Sequence, residues 1–455
     1  MRRMPSKKIA AFSVLLCLIA PSISLAQQQG IPASGAGGFV GAGRCGNPTC
    51  HGAALPATEA EKADWRPYKS ARSQWINRNI DRHSRAYVTL ETPGGKAIAH
   101  YMGISSTTSD RCLTCHAPAA KSVAGSAYRR AEGVTCEHCH GPAENWLTAH
   151  VERDWATKKA SFVSRGFYDN ANFKLRAQRC AACHTDLDHE IVAAGHPPLQ
   201  FEMVAYAQIM KHWDDQEDQP AGAFSVDPAL WAVGQAVGLG RTMEMVAARA
   251  GESDYQSIGK FSHFKDSNCY QCHHKLVADA LRQAEGHYAM VEQILAVRAP
   301  DRKASLTSQW NGVMSAARSD PAVTQQKAKA LADTASGLAD SFLAQRLNQS
   351  ETRRLLKGIT SSGATLRAID RSAFSRASRS NVLTLSGVDL PWWYTTGAPE
   401  QAVLAIGALC DPAYGAGVCR GLKDERKSLL GAVDRFSYSP DQFQKNLGAI
   451  NAKLP

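Results

Sequence analysis

Apolar residues recur at helical spacing over two long stretches in the middle of the chain, 199–213 and 228–250. In the second stretch Leu230, Val233, Val237 and the run from Thr242 to Val246 share one face. Further helical periods with polar faces lie at about 277–297, 303–318, 321–346, 350–369, 399–409 and 421–434. They predict a helical bundle over 277–455 that caps one face of the preceding part. Trp213 and Trp231 read as packing residues. The aromatic group Pro391-Trp392-Trp393-Tyr394 reads first as core and second as a docking surface.

The N-terminus follows a different pattern. Arg2, Arg3, Lys7 and Lys8 precede an apolar run from Ile9 to Ala20, and Ser24-Leu25-Ala26 supplies small residues before Gln27. This predicts a secretory signal over 1–26, with the mature chain starting at Gln27. The apolar run is too short to favour a spanning helix. Cys17 follows Leu16, where a lipoprotein signal would want a small residue. Residues 27–43, rich in Gln, Gly, Ala and Ser, predict a flexible lead-in. No later segment is long and apolar enough to span, so the processed protein is expected to be soluble and periplasmic, in an oxidising compartment.

Of the 455 residues, 44% are hydrophobic and 20% charged, which argues against global disorder. The formal charge of +11 would suggest an acidic partner. Part of it belongs to the signal, and a bound cofactor that carries carboxylates would offset more, so nucleic-acid binding is not implied.

Haem enters the argument through the thirteen cysteines. The sequence Cys-x-x-Cys-His occurs four times, at Cys112/Cys115/His116, Cys136/Cys139/His140, Cys180/Cys183/His184 and Cys269/Cys272/His273. This is the attachment motif of c-type haem: two thiols add to the porphyrin vinyl groups and the next histidine ligates iron. A disulfide framework needs no histidine there, and zinc sites do not require one after every second cysteine. A wider fifth site reads Cys45-Gly-Asn-Pro-Thr-Cys50-His51. Its spacer can bulge outward while both thiols reach the ring, with a Cys45–Cys50 disulfide as the competing reading. Five haems leave Cys410 and Cys419, which should pair as a disulfide in an oxidising compartment.

Fifteen histidines are present, and five follow attachment cysteines. Among the remaining ten, His138 lies between the thiols of its own motif and is discarded as a ligand. The second axial ligands are expected at His83, at the end of a helical pattern; His150, closing the helix-like stretch Pro-Ala-Glu-Asn-Trp-Leu-Thr-Ala-His; His196, in the turn Ala-Ala-Gly-His-Pro-Pro; and His274. His189 and His212 compete for a fifth place or hydrogen-bond a propionate. His263 and His287 read as surface residues or as groups behind a ligand. No methionine sits in a ligand context.

The segments GRCGNPTCHG, DRHSRAYVTL, CLTCHAP, GVTCEHCHGPAENWLTAH, AAGHPPLQFEM and NCYQCHHKL resemble the cytochrome c-554 family of multihaem cytochromes, over about residues 40 to 276. That family is related in haem packing to hydroxylamine oxidoreductase and pentahaem nitrite reductase. The resemblance implies a mostly helical domain over 44–276, with little regular sheet and haems in stacked pairs forming a wire. It also implies His83, His150 and His196 as distal ligands, with His274 next. The wide first site and the total of five depart from four-haem members. The Cys-x-x-Cys-Lys site of the nitrite reductases is absent from the sequence.

Two functions follow. The first is an electron carrier with about five covalent haems, serving redox partners such as other cytochromes or a membrane quinol-linked complex. The second is an oxidoreductase acting on a small nitrogen or sulfur compound at one five-coordinate haem, for which the wide site is the first candidate. The motifs favour the carrier.

Overall fold

The structure is a computed structural model that describes residues 37–52, 81–118, 122–185, 187, 191, 194–197, 199, 201–210, 227–251, 276–317, 320–362, 382–385, 388–391, 398–433 and 439–455. Among the described residues the fold is mainly α, with one short hairpin. Short helices carry the first part: α1 (Ala42–Cys45), α2 (Ala86–Leu90), α3 (Pro93–Tyr101), α4 (Asp110–His116), α5 (Cys136–His140), α6 (Trp155–Lys158), α7 (Phe173–His184) and α8 (Met203–Ile209). Longer helices follow: α9 (Pro228–Gly251), α10 (Leu276–Arg298), α11 (Pro300–Ala316), α12 (Pro321–Ala344) and α13 (Gln349–Ser361). After strands β1 (Val382–Leu385) and β2 (Val388–Pro391), the chain closes with α14 (Ala398–Tyr414), α15 (Ala416–Gly421), α16 (Lys423–Ala432) and α17 (Pro440–Lys453).

Side chains set many of the helix starts. Asn172 accepts from the backbone N–H groups of Lys174 and Leu175 to open α7, and Asp320 accepts from Val323 to open α12. Asn348 and Glu351 form a reciprocal capping box on α13. The two strands pair antiparallel, Val382 opposite Pro391 and Leu385 opposite Val388.

One apolar core runs from Ala177 on α7 to Leu454, through Trp231 and Val233 of α9, Met290 and Ile294 of α10, Leu331 and Leu338 of α12, and Leu404 of α14. Each large side chain buried there contributes about 1.5–3 kcal/mol relative to exposure. Packing is therefore continuous across residue 276, where the sequence suggested a division: α9 lies against α7, α10 and α12 together. Trp231 is fully buried, in agreement with a packing role. Trp213 and 392–394 lie outside the described residues. The disulfide expected between Cys410 and Cys419 is formed and staples α14 to α15.

Several expectations need correction. Of the helix expected over 199–213, the described residues 201–210 form α8 alone, and α17 is an element the periodicity does not predict. The stretch ending at His150 is a series of turns closed by a 3-10 turn at Ala149–Val151 rather than a helix. His83 opens a 3-10 turn ahead of α2, and so begins a helical segment where the sequence suggested an end. The lead-in is fixed where it is described. Gly38 N–H donates to Glu144 at 2.7 Å, Val40 N–H to Glu137 Oε1 at 2.9 Å and Gly41 N–H to Glu137 Oε2 at 2.8 Å.

His287 also departs from expectation, being fully buried on α10. Its Nδ1 lies 2.9 Å from Gln235 Oε1, and Gln235 Nε2 donates to Gln401 Oε1 at 3.0 Å. Gly238 of α9 permits this approach: a Cβ there would lie 2.5 Å from His287 Cε1 and Nε2. Burial pushes the His287 pKa down to about 3, so the ring is neutral.

Candidate haem centres

Three attachment histidines and three of the expected distal histidines meet in pairs. The ring centroids are 6.2 Å apart for His51 and His150, 6.1 Å for His83 and His184, and 6.2 Å for His116 and His196. A metal–imidazole bond of about 2.0–2.1 Å on each side, with each nitrogen about 1.1 Å from its ring centre, separates two trans rings by about 6.2–6.4 Å. The three gaps have the size that one iron between two imidazoles requires.

The hydrogen bonds agree with that use. A carbonyl or carboxylate oxygen only accepts, so a ring nitrogen beside one carries the proton. His116 Nδ1 lies 2.8 Å from Ala86 O, His196 Nδ1 2.7 Å from Pro197 O, and His83 Nδ1 2.8 Å from Asp81 Oδ1. His150 Nδ1 contacts Leu147 O. In all four rings Nε2 keeps its lone pair for a metal. His138 has the opposite tautomer: Thr135 N–H donates to its Nδ1 at 2.8 Å, and its Nε2–H donates to Pro118 O at 3.2 Å. Both of its nitrogens are engaged, which matches its exclusion as a ligand.

Electrostatics favour neutral rings at His184, His116 and His150, whereas at His83 the Asp81 hydrogen bond and charge outweigh burial and raise the pKa. Burial, followed by the charges of His83 and His116, pushes His184 down to about 3, and burial lowers His116 and His150 as well. Burial also takes His138 to about 4.

Local structure positions each ring. His184 ends α7, and Tyr206 packs over it at 4.5 Å between centroids. His150 stands between Trp146 and Trp155, at 5.4 and 6.3 Å. Gly133 holds a positive φ of 76°, and a Cβ there would lie 2.7 Å from His83 O, so only glycine lets the chain pass the His83 turn. The turn before His196 likewise contains Gly195 at φ 106°.

The thiols form a row. Cys45 and Cys136 interact directly, as do Cys115 and Cys183, and Cys139 lies within electrostatic reach of Cys180. The sites therefore abut in the order Cys45/Cys50/His51, Cys136/Cys139/His140, Cys180/Cys183/His184, Cys112/Cys115/His116. Cys45 and Cys50 are both free thiols, so the alternative disulfide is not formed. The wide spacer is folded on Asn47: its Oδ1 accepts from Thr49 N–H at 3.0 Å, and its carbonyl accepts from Cys50 and Gly52 N–H at 2.8 and 3.0 Å. Beside His140, Asn170 donates to Cys139 O at 2.9 Å and lies 3.3 Å from His140 Nδ1.

Residues 49–141 match the model of the family described as cytochrome c554 and c-prime. Over these residues the chain is similar to the cytochrome c-554 family, which supports the assignment that the motifs suggest. The match supports a c-type cytochrome and implies covalently bound haem c as its cofactor. The matched part of this cytochrome begins inside the wide site, spans the second and third motifs and ends before Cys180, a narrower range than the motifs suggested. No curated protein and no solved structure matches the cytochrome.

Cys269, Cys272, His273, His274, His189, His212 and His263 lie outside the described residues. Sequence reading assigned no role to two residues that shape the centres. Asp81 sits two positions before His83, where a short acidic side chain can reach back to the ring. Glu137 lies between the thiols of its motif, and its carboxylate collects the N–H groups of Val40, Gly41 and Ala143.

Proposed function

We propose that the protein is a periplasmic electron carrier with about five covalent haems, passing electrons between redox partners such as other cytochromes or a membrane quinol-linked complex. The observation that carries the reading is the set of three histidine pairs at 6.1–6.2 Å, each of a size to close both axial faces of an iron. On this reading Cys45, Cys50, Cys112, Cys115, Cys136, Cys139, Cys180, Cys183, Cys269 and Cys272 anchor the haems. His51, His116, His140, His184 and His273 are proximal ligands; His150, His196 and His83 are the partners of the first, second and fourth sites. His274, with His189 or His212, serves the rest.

Bound haem would supply a one-electron ferric/ferrous couple at each site. The chain's own part is to hold the rings, exclude competing ligands and keep neighbouring sites together. At the three described pairs His51 with His150, His83 with His184 and His116 with His196 would hold a bound iron between them and leave no position there for a small substrate, and the row of thiols supports transfer from site to site. The apolar N-terminal run behind basic residues supports export.

Low-temperature EPR of the oxidised, haem-loaded protein, quantified against haem content, tests this. The expected result is about five haems per chain, all low-spin and indifferent to cyanide, nitrite or hydroxylamine. One high-spin haem that binds such a ligand would replace the carrier with the oxidoreductase reading.

A further inference from the structure

The candidate ligand rings differ in what holds their outer nitrogen. His116, His150 and His196 place Nδ1 against backbone carbonyls, those of Ala86, Leu147 and Pro197. His83 alone among these four places it against a carboxylate, Asp81 Oδ1 at 2.8 Å, and the same oxygen accepts the His83 backbone N–H at 2.9 Å. The Asp81 side chain is 5% exposed, so water and salt do little to dilute its charge. Val134 N–H donates to His83 O at 3.1 Å and holds the backbone of this turn.

A carboxylate acceptor draws the Nδ1 proton toward itself and makes the imidazole a stronger electron donor. Ferric iron carries one more positive charge than ferrous iron, so a buried anion linked to a ligand favours the ferric state and lowers the potential. We infer that Asp81 is a positioning and tuning residue that gives the His83–His184 iron the lowest potential of the three described pairs. This rests on the reading that these two histidines ligate that iron.

Two cations, Arg179 and Arg241, act on Cys183 of this site, and Arg241 pairs with Glu244 at 2.6 Å. They are unchanged in the variants below. The His83–His184 site adjoins the His116–His196 site in the row, so an electron passing from the latter to the former would take an uphill step.

The test uses the full haem-loaded chain in EPR-monitored redox titrations. Asp81→Asn keeps an oxygen for both N–H donors and removes only the charge. It should retain every haem and every low-spin signal while shifting the reduction equilibrium of one haem at least tenfold toward ferrous, about 59 mV for a one-electron couple. Asp81→Glu should remain near the parent. Unshifted midpoints in Asp81→Asn, or an equal drift of all of them, overturn the inference. His83→Ala should turn one low-spin haem high-spin and so identify the iron; if no signal changes, the ligand reading itself fails. Should Asp81→Asn not load haem, the parent decides: the signal lost in His83→Ala must be the last of the three pairs to be reduced, and any earlier place overturns the proposal.

Discussion

His51 and His150 face each other with their rings 21° from parallel. The other two pairs cross, His83 with His184 at 79° and His116 with His196 at 73°. Parallel axial planes push on one of the two iron dπ orbitals and split them; crossed planes push on both and leave them nearly degenerate. The oxidised protein should therefore show one rhombic low-spin EPR signal and two strongly axial signals with a large g maximum from these sites. His150→Ala should remove the rhombic signal and leave the other two in place.

His196 and His138 make a sharper contrast. His196→Ala should leave haem content unchanged and convert one low-spin haem to a high-spin form that binds cyanide. His138→Ala should convert none. It should instead lower the unfolding free energy by about 1–3 kcal/mol, because Thr135 N–H and Pro118 O lose their buried partner. EPR together with denaturant unfolding of the two loaded variants checks both halves.

Glu202 should make stability depend on pH. Burial raises its carboxyl from 4.5 to about 7, against the N–H groups of Ala205 and Val204, and its Oε1 has no hydrogen-bond partner. The folded state thus prefers the protonated acid, whereas the unfolded chain ionises near 4.5. The resulting stability is full below that pH, falls between the two values and is gone above about 7. At about 1.36 kcal/mol per unit, the loss is on the order of 3 kcal/mol. Glu202→Gln should flatten this part of the pH profile of denaturant midpoints; an identical slope in parent and variant would remove Glu202 as the cause.

Gly238 and His287 should be strongly non-additive. Gly238→Ala drives a methyl into the imidazole and should destabilise by about 1–3 kcal/mol. In a His287→Ala background the same methyl meets open space, so most of that cost should vanish. A double-mutant cycle by denaturant unfolding reads the coupling directly.

How much of this was legible in the sequence depends on range. The attachment motifs are local, so Cys112 to His116 or Cys180 to His184 declare themselves within five residues. The identities of His83, His150 and His196 as candidates were also readable, from turn chemistry and from the family resemblance. Which ring meets which was not, because each pair joins segments far apart in the chain, and pairing is decided by packing. His287 misled because a lone histidine in a helix carries no sign of its depth; the glycine that admits it lies on another helix. The packing of α9 against α7, α10 and α12 was hidden for the same reason. The start of α17 was marked by Ser439 and Pro440, but only Phe443, Leu447 and Ile450 form its buried stripe, too thin a pattern to stand out.

Each histidine pair ties together parts of the chain that lie about 80 to 100 residues apart, and closing a loop of that length in a free polypeptide is entropically costly. A metal bridging such a pair acts as a cross-link as much as a redox centre. As the chain emerges from its N-terminus, His51 would have to wait for His150, and His83 for His184, before either knot could be tied. Maturation and folding then become one process, and a chain starved of haem would lack the fastenings of its first half along with its colour.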